Sequence, residues 1–171
     1  MHMVDSTTLV TVEEYFAITE KPYFEYLDGV LRQKAMPTYE HGMMEWRFLS
    51  LINKPAAGFA ACPELTVRLS ETRFLVPDVG VQRRSELQRP YPTKPVFLCI
   101  EILSPEDRFS DTVAKCEEYH AWGVPFCWIV DPEDKRCWEY HAGERPHEIS
   151  DDGHLTAQEL SLSVTNIFAD F

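Results

Sequence analysis

The sequence lacks any uninterrupted apolar run approaching the roughly 18 residues that a membrane span requires. Its opening segment, Met1-His2-Met3-Val4-Asp5, has neither a basic stretch nor an apolar signal core. A cytoplasmic protein with no membrane partner is therefore expected. There is no C-x-x-C motif. The five cysteines, Cys62, Cys99, Cys116, Cys127 and Cys137, are odd in number and scattered among apolar or aromatic neighbours. That excludes a disulfide framework and speaks against structural zinc. The close pair Cys116 and His120, on an expected helix, reads as core packing. Positive charge is also scarce, with 16 Lys and Arg against 28 Asp and Glu and a net charge of −12. This balance weighs against broad phosphate binding, which depends on Lys and Arg neutralising the nucleic-acid backbone. A local basic strip is still compatible with an acidic sum, and Arg83, Arg84, Arg89 and Lys94 fall close together around a Pro-rich stretch. Internal repeats, linkers and low-complexity stretches are missing too. With 171 residues, 44% of them apolar, the chain is expected to form one domain over residues 1–171.

Local patterns predict a series of short elements. Thr11 and Glu14 form a capping box at the start of a helix over residues 10–18, and Val10 can staple onto Tyr15. Strand-favouring residues on both sides of Asp28-Gly29 predict a hairpin that places Glu25 on the same side as Leu27. Met43, Trp46, Leu49 and Ile52 suggest the apolar face of a helix from Tyr39 to about Asn53, with His41 in its first turn. Alternation over 65–69 and again over 74–78, where Phe74, Val76 and Asp78 share a side, predicts an antiparallel pair. Residues 96–103 are almost wholly apolar, as in a strand buried on both faces, and Glu101 is the single charge among them. Ser110 or Asp111 is the expected N-cap of a helix that carries Val113, Cys116, Tyr119 and Trp122 on one face, holds Lys115 in its second turn and stops at Gly123. A second hairpin is expected around 131–135, with Trp138 and Tyr140 on its returning strand. One or two edge strands and a terminal turn should follow.

Two carboxylates hold the chemical interest. Asp78 ends one strand and Glu101 lies inside the next, so adjacent strands can bring them together. Carboxylate oxygens with water and substrate phosphate are the usual way of holding Mg²⁺, and a metal so placed polarises a phosphoryl oxygen and lowers the pKa of its water. Taken singly, Asp78 reads as an ordinary strand-end acid, Lys115 as a solvated helix residue, Glu25 as a hairpin acid and His41 as a surface histidine. Glu101 differs, because an ionised carboxylate amid Phe97, Leu98, Cys99, Ile100, Ile102 and Leu103 costs several kcal/mol unless it is paired or metal-bound. A buried salt bridge to an arginine is its alternative explanation.

The ordered set Glu25-Tyr26-Leu27-Asp28-Gly29, His41, Pro77-Asp78-Val79, Glu101-Ile102-Leu103-Ser104-Pro105, Asp111, Lys115, Tyr119 and Trp128-Ile129-Val130-Asp131-Pro132 resembles the putative restriction endonuclease family. This is a bacterial PD-(D/E)XK group, abundant in cyanobacteria and long catalogued as a domain of unknown function. The resemblance spans roughly residues 10–140. It implies an α/β (α+β) fold with a restriction-endonuclease-like core, in which a mixed central sheet is flanked by helices and accompanied by antiparallel hairpins. It also implies Asp78 and Glu101 as ligands of Mg²⁺, with Mn²⁺ as substitute, and Glu25 as an additional acid. Lys115 stands in for the superfamily lysine, whose usual place two residues after the second acid is here Leu103. His41 matches a family position near the site without an assigned role. The activity implied is hydrolysis of DNA phosphodiesters by a metal-bound water. A homodimer would supply two sites for the two strands. The alternative is a non-catalytic nuclease fold used for binding or regulation, which the acidic balance favours.

Overall fold

The computed structural model describes residues 9–20, 23–54 and 58–171. Helix α1 (Val12–Ala17) opens on the expected capping box. The Thr11 N–H donates to Glu14 Oε2 at 2.8 Å and the Glu14 N–H to Thr11 Oγ1 at 3.2 Å. Strands β1 (Phe24–Leu27) and β2 (Val30–Gln33) form the hairpin over Asp28-Gly29, whose φ values of 52° and 93° suit the primed turn that strand twist prefers. Helix α2 (Tyr39–Ile52) follows, then β3 (Phe59–Pro63), β4 (Val67–Ser70) and β5 (Arg73–Leu75). Strands β1, β2, β4 and β5 make an antiparallel sheet in the order β2-β1-β5-β4.

The second sheet is larger and mixed. Its order is β10-β9-β8-β7-β6-β3, built from β6 (Val79–Arg83), β7 (Leu98–Ile102), β8 (Phe126–Asp131), β9 (Arg136–His141) and β10 (His147–Ile149) with β3. Among the described strands only β7 and β8 run parallel, and α3 (Phe109–Trp122) makes the crossover between them. Strands β11 (His154–Ala157) and β12 (Leu160–Ser163) form a separate hairpin, followed by the short helix α4 (Val164–Ile167). The expected mixed sheet flanked by helices is thus present. None of the described helices is long and apolar enough to cross a membrane.

The six-stranded sheet is buried on both faces. Leu98, Ile100, Ile102, Trp128 and Val130 join one core cluster with α2, α4 and the β11–β12 hairpin. Cys99, Cys127 and Ile129 point the other way, into a cluster with α3 and the small sheet. Strand alternation therefore turns Glu101, which has the parity of Cys99, toward α3. Trp138 and Tyr140 are buried in the same cluster within the chain.

Four sequence expectations are corrected. The buried face of α2 is His41, Met44, Phe48 and Ile52, while Trp46 is 56% exposed. Positions spaced by three drift about 60° per step around a helix of 3.6 residues per turn, so the expected stripe could not remain on one face. The strand placed over 74–78 ends at Leu75, and Asp78 lies in the passage from β5 to β6, where the chain leaves one sheet for the other. Pro77 sits in that passage and has no N–H to continue a ladder. Helix α3 starts earlier than expected, at Phe109 with Arg108 as a cap lacking a side-chain bond, because Phe109 packs on Trp138 at 4.7 Å. Last, the tail is more than an edge, because Leu155, Leu160, Leu162 and Ile167 close the core beneath α2.

Candidate active site

Three elements that do not pair with one another converge at the point where β5 passes into β6. The backbone fixes this point first: Glu64 N–H donates to the Asp78 carbonyl at 2.9 Å, and the Ile102 N–H donates to Asp78 Oδ2 at 2.6 Å. Asp78 is thereby held beside the end of β7, next in sequence to Glu101. Both acids are buried, at 3% and 5% exposure. From one side of the six-stranded sheet α2 brings His41, whose Nε2 lies 3.4 Å from Asp78 Oδ2. From the other side α3 brings Lys115 and, one helical turn later, Tyr119.

Lys115 is the hub of this second half. Its Nζ lies 2.9 Å from Glu101 Oε2 and 2.8 Å from Glu25 Oε1, and donates to the Val76 carbonyl at 3.1 Å. Tyr119 donates its hydroxyl to the other oxygen, Oε1 of Glu101, at 2.8 Å. The alternative of an arginine partner for Glu101 is not what the fold provides. The arginine goes to Glu25 instead: Arg32 donates to its Oε2 through Nε at 2.8 Å and Nη2 at 2.6 Å, while the Val76 N–H donates to Oε1 at 3.1 Å. Both oxygens of Glu25 are thus engaged, as are both oxygens of Glu101.

Reasoning from sequence missed a second lysine. Lys34, just after β2, places Nζ 2.6 Å from Asp78 Oδ1 and 2.8 Å from Glu64 Oε2, with a side chain only 12% exposed. Glu45, Glu64 and Asp78 each offer a carboxylate oxygen within 4.8 Å of the others, and Glu45 Oε1 is buried without a hydrogen-bond partner among the described residues. Glu45 carried a readable signal, since it follows His41 by one helical turn on α2. Lys34 and Glu64 lie outside regular elements and carried none.

Charge in this cluster is strongly redistributed. Burial alone would raise the Asp78 carboxyl, but Lys34 and His41 outweigh it and hold the group well below the carboxylate range. Glu25 is treated likewise: burial is overcome by Lys115 and Arg32, which bring it down to about 2. For Glu101 the balance goes the other way, as burial and the neighbouring acids Asp78 and Glu25 exceed the help from the lysines and push it up. Burial also lifts Glu45 to about 7. Both lysines stay above their ordinary value because nearby carboxylates outweigh their burial, and Asp78 does the same for His41. The arrangement therefore separates two firmly ionised acids, Asp78 and Glu25, from two that resist ionisation, Glu101 and Glu45.

Beside the cluster opens a cleft of about 370 Å³, bordered by Leu103 and Ser104 and by the acids Glu40, Asp107, Asp131 and Glu133. Two of these acids have local work. Asp107 accepts from the Ser104 N–H at 2.8 Å and Asp131 accepts from the Glu133 N–H at 3.0 Å.

Comparison with known proteins bears on the fold and the family. A solved structure of a putative nuclease of the DUF820 group from Anabaena variabilis superposes with a TM-score of 0.81 at 25% identity, covering 94% of this chain and 98% of that one. A DrdV–DNA complex aligns over 64% of this chain and 12% of that one, at 13% identity and a TM-score of 0.34, and carries no argument. Among curated proteins none matches. The model of the Uma2 family, described as "Putative restriction endonuclease", matches residues 12–168. The chain belongs to that putative restriction endonuclease family and has its nuclease-like fold.

Proposed function

We propose that this chain is an endonuclease that hydrolyses DNA phosphodiester bonds with the help of Mg²⁺ or Mn²⁺, and that Asp78, Glu101 and Lys115 form its working centre. The observation that carries the reading is the convergence of Asp78 and Glu101 at the ends of β6 and β7, with a buried lysine hydrogen-bonded to one acid and an excess of carboxylate around the other.

A hard divalent cation fits this donor set. Among the described residues the grouped donors Glu45, Glu64 and Asp78 are all carboxylates, Glu45 presents a buried oxygen without a partner, and the acids Glu25, Glu45, Glu64, Asp78 and Glu101 outnumber the fixed cations Arg32, Lys34 and Lys115. Asp78 and Glu101 would hold the ion, with Glu45 and Glu64 available on the α2 side. When bound, it would polarise a phosphoryl oxygen and lower the pKa of a coordinated water. The remaining work belongs to the side chains. Lys115, fixed by Glu25 and the Val76 carbonyl, can stabilise negative charge developing on phosphate and orient the attacking water. Tyr119 and Arg32 keep Glu101 and Glu25 in their rotamers. His41, with Asp78 on one nitrogen, is placed to orient that acid. A homodimer would provide two such centres for the two strands of a duplex.

The test is incubation of plasmid and single-stranded DNA with Mg²⁺ and with Mn²⁺, beside Asp78→Ala. Metal-dependent cleavage that the substitution abolishes is expected. Wild-type protein inert with both ions would reject the reading. A second reading, a non-catalytic DNA-binding or regulatory nuclease fold, draws on one observation: the nearby cleft is lined with Glu40, Asp107, Asp131 and Glu133, which repel phosphate.

A further inference from the structure

Several cations of this acidic chain are committed to carboxylates. Arg32, Lys34, Arg47, Arg73, Arg83, Lys115 and Arg136 all lie in ion pairs. Arg83 in particular pairs with Glu159 and lies over the Phe97 ring, at 4.5 Å, so it leaves the basic strip suggested by the sequence. Arg89 and Lys94 remain in that strip and are joined there by Arg68 of β4. These three have no carboxylate partner among the described residues, and they line one cleft of about 550 Å³ in which no lining residue is acidic. That volume lies within the roughly 300–1,000 Å³ typical of ligand sites.

The cleft also has an aromatic floor. Phe16 and Tyr91 stack with centroids 5.1 Å apart and planes inclined by 26°, and they are still 42% and 40% exposed. Phe16 in turn meets the buried Phe74 ring edge-on at 5.2 Å, and Arg68 lies over Phe74 at 5.3 Å. The loop bearing Arg89, Tyr91 and Lys94 is braced by hydrogen bonds of its own and one from β4. Gln88 Oε1 accepts from the N–H groups of Thr93 and Lys94 at 3.0 and 2.9 Å, Gln88 Nε2 donates to the Lys94 carbonyl at 3.0 Å, and the Arg68 N–H donates to the Pro92 carbonyl at 2.8 Å. The backbone that carries Arg89, Tyr91 and Lys94 is thus braced in place, which lowers the ordering cost of binding. Tyr26 and Phe74 share this side of the four-stranded sheet, whereas Glu25 and Leu75 face the opposite side, so the sheet separates the cleft from the acid cluster.

We propose that this cleft binds a short segment of single-stranded DNA, with phosphates on Arg68, Arg89 and Lys94 and a base stacked on Tyr91. Cations beside exposed aromatic faces are the combination by which single strands are held without reading their sequence. The net charge of −12 disfavours binding of a polyanion over the surface at large. The choice of DNA over another polyanion rests on the nuclease reading; the rest does not.

The experiment is fluorescence anisotropy with a short labelled thymidine oligonucleotide in EDTA, where cleavage cannot contribute, at two salt concentrations. Wild-type protein should bind. Arg89→Ala/Lys94→Ala should weaken binding at least about tenfold and flatten its salt dependence by about 1.4 in log–log slope, two single-strand phosphate contacts at roughly 0.7 each. Tyr91→Ala should weaken it about tenfold, and Tyr91→Phe should restore it, because stacking needs the ring and not the hydroxyl. These side chains are exposed, and circular dichroism checks that the variants fold. No wild-type binding, variants that bind like wild type, or tighter binding of the same sequence as a duplex would each overturn the proposal. Binding in EDTA by a protein that never cleaves in Mg²⁺ would sink the nuclease reading alone. Cleavage by a protein whose cleft variants bind normally would sink this proposal alone.

Discussion

Replacing Lys115 by Met keeps most of the aliphatic stem on α3 and removes the ammonium group that joins two buried acids, at 2.8 Å from Glu25 and 2.9 Å from Glu101. The losses are unequal. Glu25 retains Arg32 and the Val76 N–H, whereas Glu101 is left with the Tyr119 hydroxyl. Breaking a buried pair and stranding one charge costs about 3–5 kcal/mol. At roughly 2–4 °C per kcal/mol for a chain of this size, Tm should fall by roughly 6–20 °C. The penalty should depend on pH. Glu101 is already raised in the folded protein, and losing its cation raises it further, so the folded variant binds a proton that the unfolded chain has released. Stability then falls as pH rises from the unfolded carboxyl pKa toward the folded one, and the deficit relative to wild type is smaller at pH 5 than at pH 8. Urea melts followed by circular dichroism at both pH values measure it. Adding Glu101→Gln to Lys115→Met removes the stranded charge and should recover most of the loss. A single variant within about 0.5 kcal/mol of wild type, the scatter of ordinary surface changes, would refute the reasoning, as would a double variant no more stable than the single.

Two further outcomes follow from the same cluster. Lys34 lies between Glu64 and Asp78 where a divalent cation would compete with it, so Lys34→Gln should tighten Mn²⁺ binding in calorimetry by at least about tenfold, equivalent to about 1.4 kcal/mol; unchanged or weaker affinity would contradict it. Glu25 is held at about 2 against an ordinary value of 4.5, so its contribution is fully present above pH 4.5 and is lost as pH falls toward 2. That contribution is roughly 3 kcal/mol, and Glu25→Gln should flatten the acid limb of the stability profile over that interval. An acid limb with wild-type slope would show that Glu25 carries no such linkage.

Short-range chemistry made part of this protein legible from its residues alone. The Thr11–Glu14 box, the Asp28-Gly29 turn, the Gly123 stop with its positive φ and the two-faced apolar run around Glu101 are each decided by neighbours within a few positions, and the fold realises them as expected. Glu101 also announced itself, because a charge inside an apolar strand demands a partner wherever the strand finally lies. Other features needed distant parts of the chain. The identity of that partner, a lysine on α3 and not an arginine, depends on the parallel crossover that lays α3 over β7. Asp78 sits between two sheets and not within one, and sequence alternation cannot distinguish one long strand from two short ones in different sheets. Lys34, Glu45 and Glu64 have no local pattern linking them. A loop, a helix and a strand end are brought to Asp78 only when the core closes. Most elements and one costly charge could be read locally, because those follow from backbone preferences and solvation. Which charges meet was settled only by folding, because ion pairing acts over a few ångströms in space between residues that the chain holds far apart.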